Sequence, residues 1–73
     1  MKVKLEKGDI ITVYVKGWYT QVEVIRKLRS GATLLESTIY GWTYTLSKDQ
    51  QELTTESGKV YQVENIVIDY FSA

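Results

Sequence analysis

Apolar residues fall on every second position over much of this chain, which is the pattern of strands that bury one face. The pattern is clearest in residues 8–24, where the alternating residues are Ile11, Val13, Val15, Val22 and Val24. Gly17 separates the two runs at the point where the chain has to reverse, because glycine tolerates a positive φ. The stretch predicts a hairpin with strands at 10–16 and 20–29, and with Trp18 and Tyr19 next to its turn.

Shorter alternating runs follow, and turn signals separate them. Ser30-Gly31 and Ser57-Gly58 are two-residue hairpin signals. Residues 2–6 also alternate, and they form either a short first strand or a lead-in to the first hairpin. The remaining strands are predicted at 32–40, 42–47, 53–56, 59–63 and 66–71.

Three positions depart from simple alternation. The apolar residues of segment 32–40 fall into two sets of different parity, which predicts a bulge or strong curvature in that strand. Ser47 and Gln50 have the spacing of a capping box, which allows one short helical turn at 49–53. Asn65 marks a kink before the last strand.

Several short strands with turn signals every eight to twelve residues indicate an all-β barrel or a small sandwich. Closure into a barrel removes sheet edges, which so small a sheet cannot hide in any other way. The sequence has 73 residues, which is the size of one domain. We therefore expect residues 1–73 to form a single small β-barrel of antiparallel strands.

The composition removes most enzymatic and metal chemistry. The chain contains neither histidine nor cysteine, so it lacks an imidazole acid or base, a thiol nucleophile and the nitrogen and sulfur ligands of zinc. Two carboxylates can act without them, but a barrel of this size has little room for a cleft and the residues that support it. We expect no enzyme activity, no cofactor and no metal site.

The same composition bears on the compartment. Small secreted domains usually need disulfides, so the lack of cysteine favours the cytoplasm. No apolar run approaches the roughly 18 residues of a membrane span, and the lysine-rich start lacks the apolar core of a signal peptide. We therefore expect a cytoplasmic protein that does not bind membranes.

The net charge is zero, but the charges are unevenly distributed along the chain. Residues 1–36 hold seven Lys/Arg and four Asp/Glu, whereas residues 37–73 hold two and five. Such a dipole can steer a partner or favour self-association, and it also arises when ordinary solvated charges segregate by chance.

Three stretches resemble SH3-like small barrels, and within that group Tudor domains. Gly8-Asp9-Ile10 leads into the first strand as in such modules. Residues 17–24 combine a turn glycine, two aromatic residues and alternation, and residues 38–41 end in a Tyr-Gly pair like the one after the third Tudor strand. The resemblance covers residues 8–47, and it implies an SH3-like barrel of five or six antiparallel strands.

Many Tudor domains bind methylated lysine or arginine in an aromatic cage, through cation–π attraction. Carried over by position, the resemblance implies cage residues at Tyr14, Tyr19 and Tyr40. The chain departs from the Tudor pattern after Gly41, where Trp42 replaces the asparagine that often follows, and residues 48–73 are longer than the usual ending.

Aromatic side chains are the distinctive feature of this composition, and two interpretations of them are open. In the first, Trp42, Tyr44 and Phe71 fill the barrel or cap its ends. In the second, an exposed patch grips a partner, because Tyr and Trp offer large rigid contact area at low entropic cost. We predict that the binding residues are Tyr14, Trp18, Tyr19, Tyr40 and Trp42.

A basic run suggests a second kind of partner. Arg26, Lys27 and Arg29, with Lys16, are the residues that would contact phosphates if the chain binds nucleic acid. The alternative is a solvated hairpin end that discourages edge pairing.

The leading functional hypothesis is a non-catalytic protein-interaction module that binds a protein or peptide through its aromatic patch. The small size would suit a phage or mobile-element protein that acts on a host protein. Nucleic-acid binding is the first alternative. A structural or assembly protein that forms a homo-oligomer is the second, and a designed barrel is the third.

Overall fold

The computed structural model describes residues 2–70, which contain six antiparallel β-strands. Each strand pairs with the next one in the chain, and β6 also pairs with β1, so the sheet closes into a barrel. No helix occurs in residues 2–70. The prediction of a small all-β barrel is therefore confirmed, with six strands. Their bounds are β1 (Ile10–Val15), β2 (Trp18–Lys27), β3 (Thr33–Ser37), β4 (Thr43–Leu46), β5 (Glu52–Thr55) and β6 (Val60–Tyr70).

The alternating residues of the first hairpin face the barrel interior, as their period predicts. Ile11 lies opposite Val22 in β2, and Val13 lies opposite Ile66 in β6, so β1 is paired on both sides. One apolar side chain from the segment before β1, Leu5, joins the same core. The buried hydrophobic residues are Leu5, Ile11, Val13, Val15, Val22, Val24, Leu35, Tyr44, Leu46 and Leu53.

The strand order divides the turns between the two ends of the barrel. In an antiparallel up-and-down barrel, alternate turns lie at the same end. The turns β1–β2, β3–β4 and β5–β6 form one end, which we call the aromatic end. The turns β2–β3 and β4–β5, together with residues 2–9, form the opposite end, which we call the basic end.

Some strand limits differ from the prediction. The second strand begins at Trp18, immediately after Gly17 with its φ of 95°. The third strand ends at Ser37 instead of reaching Tyr40. Its end has a local cause, because the Ser37 hydroxyl accepts hydrogen bonds from the amides of Ile39 (3.3 Å) and Tyr40 (3.1 Å) and stabilises a turn there.

The bulge predicted in the third strand is wrong in its location. The pairing of β2 with β3 shifts register between Val24 and Arg26, so the extra residue is Ile25 in β2. Two further shifts occur where β6 pairs with β1, and one of them falls between Val63 and Asn65. The extra residue at that shift is Glu64, so the chain bulges next to Asn65, and β6 continues through the position of the expected kink. Phe71, the last residue of the strand predicted at 66–71, lies outside the described residues.

Residues 2–6 are a lead-in and not a strand, and they cross the basic end. Their anchor is Gln50, whose side-chain amide accepts a hydrogen bond from the Val3 amide (2.8 Å) and donates one to the Val3 carbonyl (2.7 Å). Gln50 is buried and has a φ of 61°, which few residues other than glycine adopt. It lies in the β4–β5 turn, so no helical turn forms there. Instead, the Ser47 hydroxyl accepts from the amides of Gln51 and Glu52.

Candidate binding groove at the aromatic end

Three aromatic residues follow the three turns of the aromatic end. Trp18 comes directly after Gly17, Trp42 directly after Gly41, and Tyr61 three residues after Gly58. All three glycines have positive φ, so each belongs to a tight reversal of the chain. Closure of the barrel then brings the three turns, and the aromatic residues behind them, to one end.

These residues line an open groove with a volume of about 490 Å³. Trp18 and Tyr61 pack against the core, and Tyr44, which also lines the groove, is itself a core residue. Trp42 also lines the groove, but more than half of its surface is exposed to solvent. The complete lining is Trp18, Trp42, Thr43, Tyr44, Thr55, Glu56, Ser57, Lys59 and Tyr61.

Ring contacts hold the groove aromatics in place. The rings of Trp18 and Tyr61 meet edge to face, with centroids 4.9 Å apart and an interplanar angle of 88°. Tyr40 stacks on Trp42 with centroids 4.4 Å apart and an angle of 17°. Both geometries are among the preferred arrangements of aromatic pairs. The groove is therefore formed by rings that already have partners within the protein.

Two charged residues of the β5–β6 turn lie beside the rings. Glu56 Oε1 accepts hydrogen bonds from the Thr43 amide (3.1 Å) and the Thr43 hydroxyl (3.0 Å), which link this turn to the start of β4. The Lys59 ammonium lies 5.2 Å from the centroid of the Tyr61 ring, within the range of a cation–π interaction. The groove thus combines electron-rich rings, a fixed carboxylate and a cation that is already placed over one ring.

The structure divides the five predicted binding residues between two surfaces. Trp18 and Trp42 line the groove, and Tyr40 contacts Trp42. Tyr14 and Tyr19 lie opposite each other on β1 and β2, with ring centroids 5.5 Å apart. They belong to the outer wall, because their neighbours Val13 and Val15 point inward.

The aromatic cage implied by the Tudor resemblance is not assembled as one cluster. Tyr14 contacts Tyr19, but within residues 2–70 no ring contact joins either of them to Tyr40. Of the residues expected to fill the barrel, Tyr44 is buried, whereas Trp42 is 54% exposed. Phe71 again lies outside the described residues.

The predicted nucleic-acid residues are also divided. Lys16 lies in the β1–β2 turn at the aromatic end. Arg26 and Lys27 end β2, and Arg29 lies in the following turn, so these three belong to the basic end. The sequence prediction that groups Lys16 with this run is wrong, because the two lie at opposite ends of the barrel: Lys16 and Arg26 are ten positions apart along β2, a path of about 30 Å at about 3.3 Å per residue.

Sequence reasoning missed Tyr61, Glu56 and Lys59 as groove residues. The signal was present in the spacing of the turns, because Gly17, Gly41 and Gly58 each precede an aromatic residue by one to three positions. That spacing becomes informative only when the strand order is known, since the order decides which turns share an end.

No protein-family model matches this chain, and no match was found among curated proteins or solved structures. Within the described residues, no helix has the length and apolar character needed to cross a membrane. The fold and the groove geometry are therefore the basis for assigning a function.

Proposed function

We propose that this protein is a non-catalytic interaction module of the SH3-like, Tudor-like kind. Its groove would hold an arginine or lysine side chain, with or without methyl groups, presented by a peptide segment of a protein partner. The observation that supports the proposal is the meeting of Trp18, Trp42 and Tyr61 beside the carboxylate of Glu56 in one open groove.

The chemistry of the lining favours a cationic ligand. Aromatic faces attract cations through their quadrupole, and a carboxylate adds a charge-assisted hydrogen bond. Glu56 Oε1 is held by Thr43, whereas Oε2 accepts no hydrogen bond from residues 2–70. The Lys59 ammonium over Tyr61 is an internal example of the contact that a ligand cation would make.

A titration of the ¹⁵N-labelled protein with matched peptides tests the proposal. The probes are pentapeptides that differ only at the central residue, which is arginine, lysine, trimethyllysine or leucine. We expect the indole N–H signals of Trp18 and Trp42 to shift with at least one cationic peptide and not with the leucine peptide. Equal shifts with all four peptides, or none at millimolar concentration, would rule out the cationic ligand.

Substitutions separate the groove from the other exposed aromatics. Trp42→Ala should weaken peptide binding at least tenfold, whereas Tyr19→Ala, on the outer wall, should leave it within twofold. Glu56→Gln keeps an acceptor for Thr43 and removes only the charge, so it should weaken binding of the arginine peptide by a few fold. Equal losses in Trp42→Ala and Tyr19→Ala would move the site away from the groove.

Sedimentation at two protein concentrations distinguishes a peptide partner from a second copy of the chain. The proposal expects a monomer at both concentrations. A dimer that forms with increasing concentration and is lost in Trp42→Ala would replace the peptide by a second copy in the same groove.

A further inference from the structure

Charge is sorted in this protein by the end of the barrel. The segments 2–9, 26–32 and 47–52, which make up the basic end, carry seven Lys/Arg and four Asp/Glu. The other described residues, 10–25, 33–46 and 53–70, carry two and five. All seven cations of the basic end are exposed: Lys2, Lys4, Lys7, Arg26, Lys27, Arg29 and Lys48.

Backbone and side-chain contacts hold these three segments together. The Gly8 amide donates to the Val24 carbonyl (2.8 Å), which places Lys7 beside the last third of β2. The stem of Lys48 lies against Gly31, so closely that a Cβ at Gly31 would come within 2.8 Å of Lys48 Cδ. The β4–β5 turn is thereby placed against the β2–β3 turn that carries Arg29. The cations are thus presented from segments whose positions are fixed relative to one another.

The acidic residues of this end offset the cations only in part. Asp9 is 2% exposed, and its carboxylate accepts a hydrogen bond from the Glu6 amide (2.9 Å). Asp49 is exposed, but its Oδ1 accepts from the Ser47 hydroxyl (2.7 Å) and the Gln51 amide (3.0 Å) within its own turn. Glu6 and Glu52 are the other exposed carboxylates of these segments, and Asp69, beside Tyr70, is a further exposed carboxylate near this end. The exposed groups of the basic end therefore retain a positive excess.

We infer that the basic end binds the phosphate backbone of nucleic acid. A polyanion with a phosphate charge every few ångströms suits cations that project from several turn tips, because binding gains from counterion release and needs no pocket. An anionic membrane fits less well, since interfacial binding also uses exposed apolar side chains. Among residues 2–70, Tyr70 is the one exposed large hydrophobic residue that lies near this end, while Ile39, Tyr40 and Trp42 lie at the other.

The residues of this phosphate-binding surface differ from the nucleic-acid site predicted from the sequence. The surface excludes Lys16 and includes Lys48 and the lysines of residues 2–9. Binding at the basic end is independent of the groove at the aromatic end. The contacts are with phosphates and not with base edges, so binding should show little sequence preference.

Fluorescence anisotropy with a labelled 24-base-pair DNA duplex of mixed sequence tests this inference. For three to four phosphate contacts, log Kobs should fall against log salt with a slope of about −3, which is a loss of roughly 60-fold between 50 and 200 mM KCl. Replacing Arg26, Lys27 and Arg29 together with Gln should weaken binding to the duplex at least tenfold at 50 mM KCl. The slope should become shallower by about 2 to 3.

Matched variants locate the site and protect the test against misfolding. Lys16→Gln with Lys59→Gln removes two cations from the aromatic end and should leave binding within twofold. Lys48→Met keeps the aliphatic stem that covers Gly31, and it should reduce the slope by about 0.9. If near-UV circular dichroism shows that the triple variant is unfolded, Lys48→Met against the Lys16/Lys59 pair decides the question.

Three results would overturn the inference. The first is no anisotropy change at 50 mM KCl with protein at 100 µM. The second is an equal loss of binding in the basic-end and aromatic-end variants. The third is binding to phosphatidylserine vesicles together with no binding to the duplex, which would make the partner a membrane surface.

Discussion

The two ends of this barrel are built from the same six strands but present opposite chemistry. At the aromatic end, three turns carry Trp18, Trp42 and Tyr61 into one groove, with few charges beside the rings. At the basic end, residues 2–9 cross the opening, Leu5 is buried in the core, and the exposed surface carries seven cations. One end is therefore suited to holding a side chain, and the other to meeting an extended charged surface.

The difference follows from the strand order. In a closed up-and-down barrel the first, third and fifth turns share one end, while the second and fourth share the other. Chemistry that alternates from turn to turn along the chain therefore becomes separated in space. The charge imbalance between the two halves of the sequence becomes an imbalance between two ends. Lys48 of the C-terminal half packs against Gly31, in the turn that carries Arg29, while Lys16 of the N-terminal half lies at the other end.

The largest expected effect is on the free energy of unfolding, when the two tryptophans of the aromatic end are replaced in turn. Trp18 packs against the core and contacts Tyr61, whereas Trp42 is more than half exposed and stacks on Tyr40. Trp18→Ala should lower the free energy of unfolding by about 2 to 3 kcal/mol, less than a fully buried tryptophan would. Trp42→Ala should cost less than about 1 kcal/mol. Urea unfolding measures both, and similar costs would show that the groove does not rest on the core as described.

A smaller change in stability is expected when one turn glycine from each end is replaced by alanine. Gly17 and Gly31 both have a φ of 95°, but a Cβ at Gly17 meets nothing within 4 Å, whereas one at Gly31 meets the Lys48 side chain. Alanine at either position should cost about 1 to 2 kcal/mol from backbone strain. Gly31→Ala should cost a few tenths of a kcal/mol more, because Lys48 must move aside.

A double-mutant cycle isolates that contact. In a Lys48→Ala background the costs of Gly17→Ala and Gly31→Ala should become equal. A difference that persists in that background would show that the Lys48 stem does not join the two turns of the basic end.

The smallest expected effect is a pH dependence at the basic end. The Ser47 hydroxyl, and then the Gln51 amide, hold the pKa of Asp49 below its ordinary value. Because the pKa of Asp49 is lower in the folded state than in the unfolded chain, its ionisation stabilises the fold at pH values above the unfolded-state pKa. This stabilisation is lost as the pH falls through the pKa of the folded state.

Asp49→Asn keeps an oxygen acceptor for both donors and removes the charge. The variant should be slightly less stable than the parent at neutral pH, and the difference should shrink as the pH falls below about 4. Thermal unfolding followed at several pH values between 2.5 and 7 measures this. A constant difference across that range would remove Asp49 ionisation as its cause.

The fold was predictable from sequence because alternation in the first hairpin and the turn glycines are local signals. Ile11, Val13, Val22 and Val24 are buried as their period indicates. The end of the third strand was not predictable by parity, because Ile39 is apolar but 77% exposed. There the Ser37 hydroxyl favours a turn over another strand residue.

The site was predictable only in part, for a different reason. Trp18 and Trp42 stand out by type and by their position after a glycine, whereas Tyr61 enters the groove only because β6 closes on β1. Lys16 and Arg26 are close in the sequence, which suggested a shared surface. The length of β2 places them at opposite ends of the barrel. Residue type therefore indicated the chemistry, and the non-local pairing of strands decided which residues share a surface.

Closure of the barrel brings the aromatic turns of this protein together. Nuclear Overhauser effects in the labelled monomer test it most directly. We expect cross-strand contacts between Val13 and Ile66, and ring contacts between the Trp18 indole and Tyr61. A folded monomer that lacks the Val13–Ile66 contacts, or whose Trp18 and Tyr61 rings show none, would contradict it.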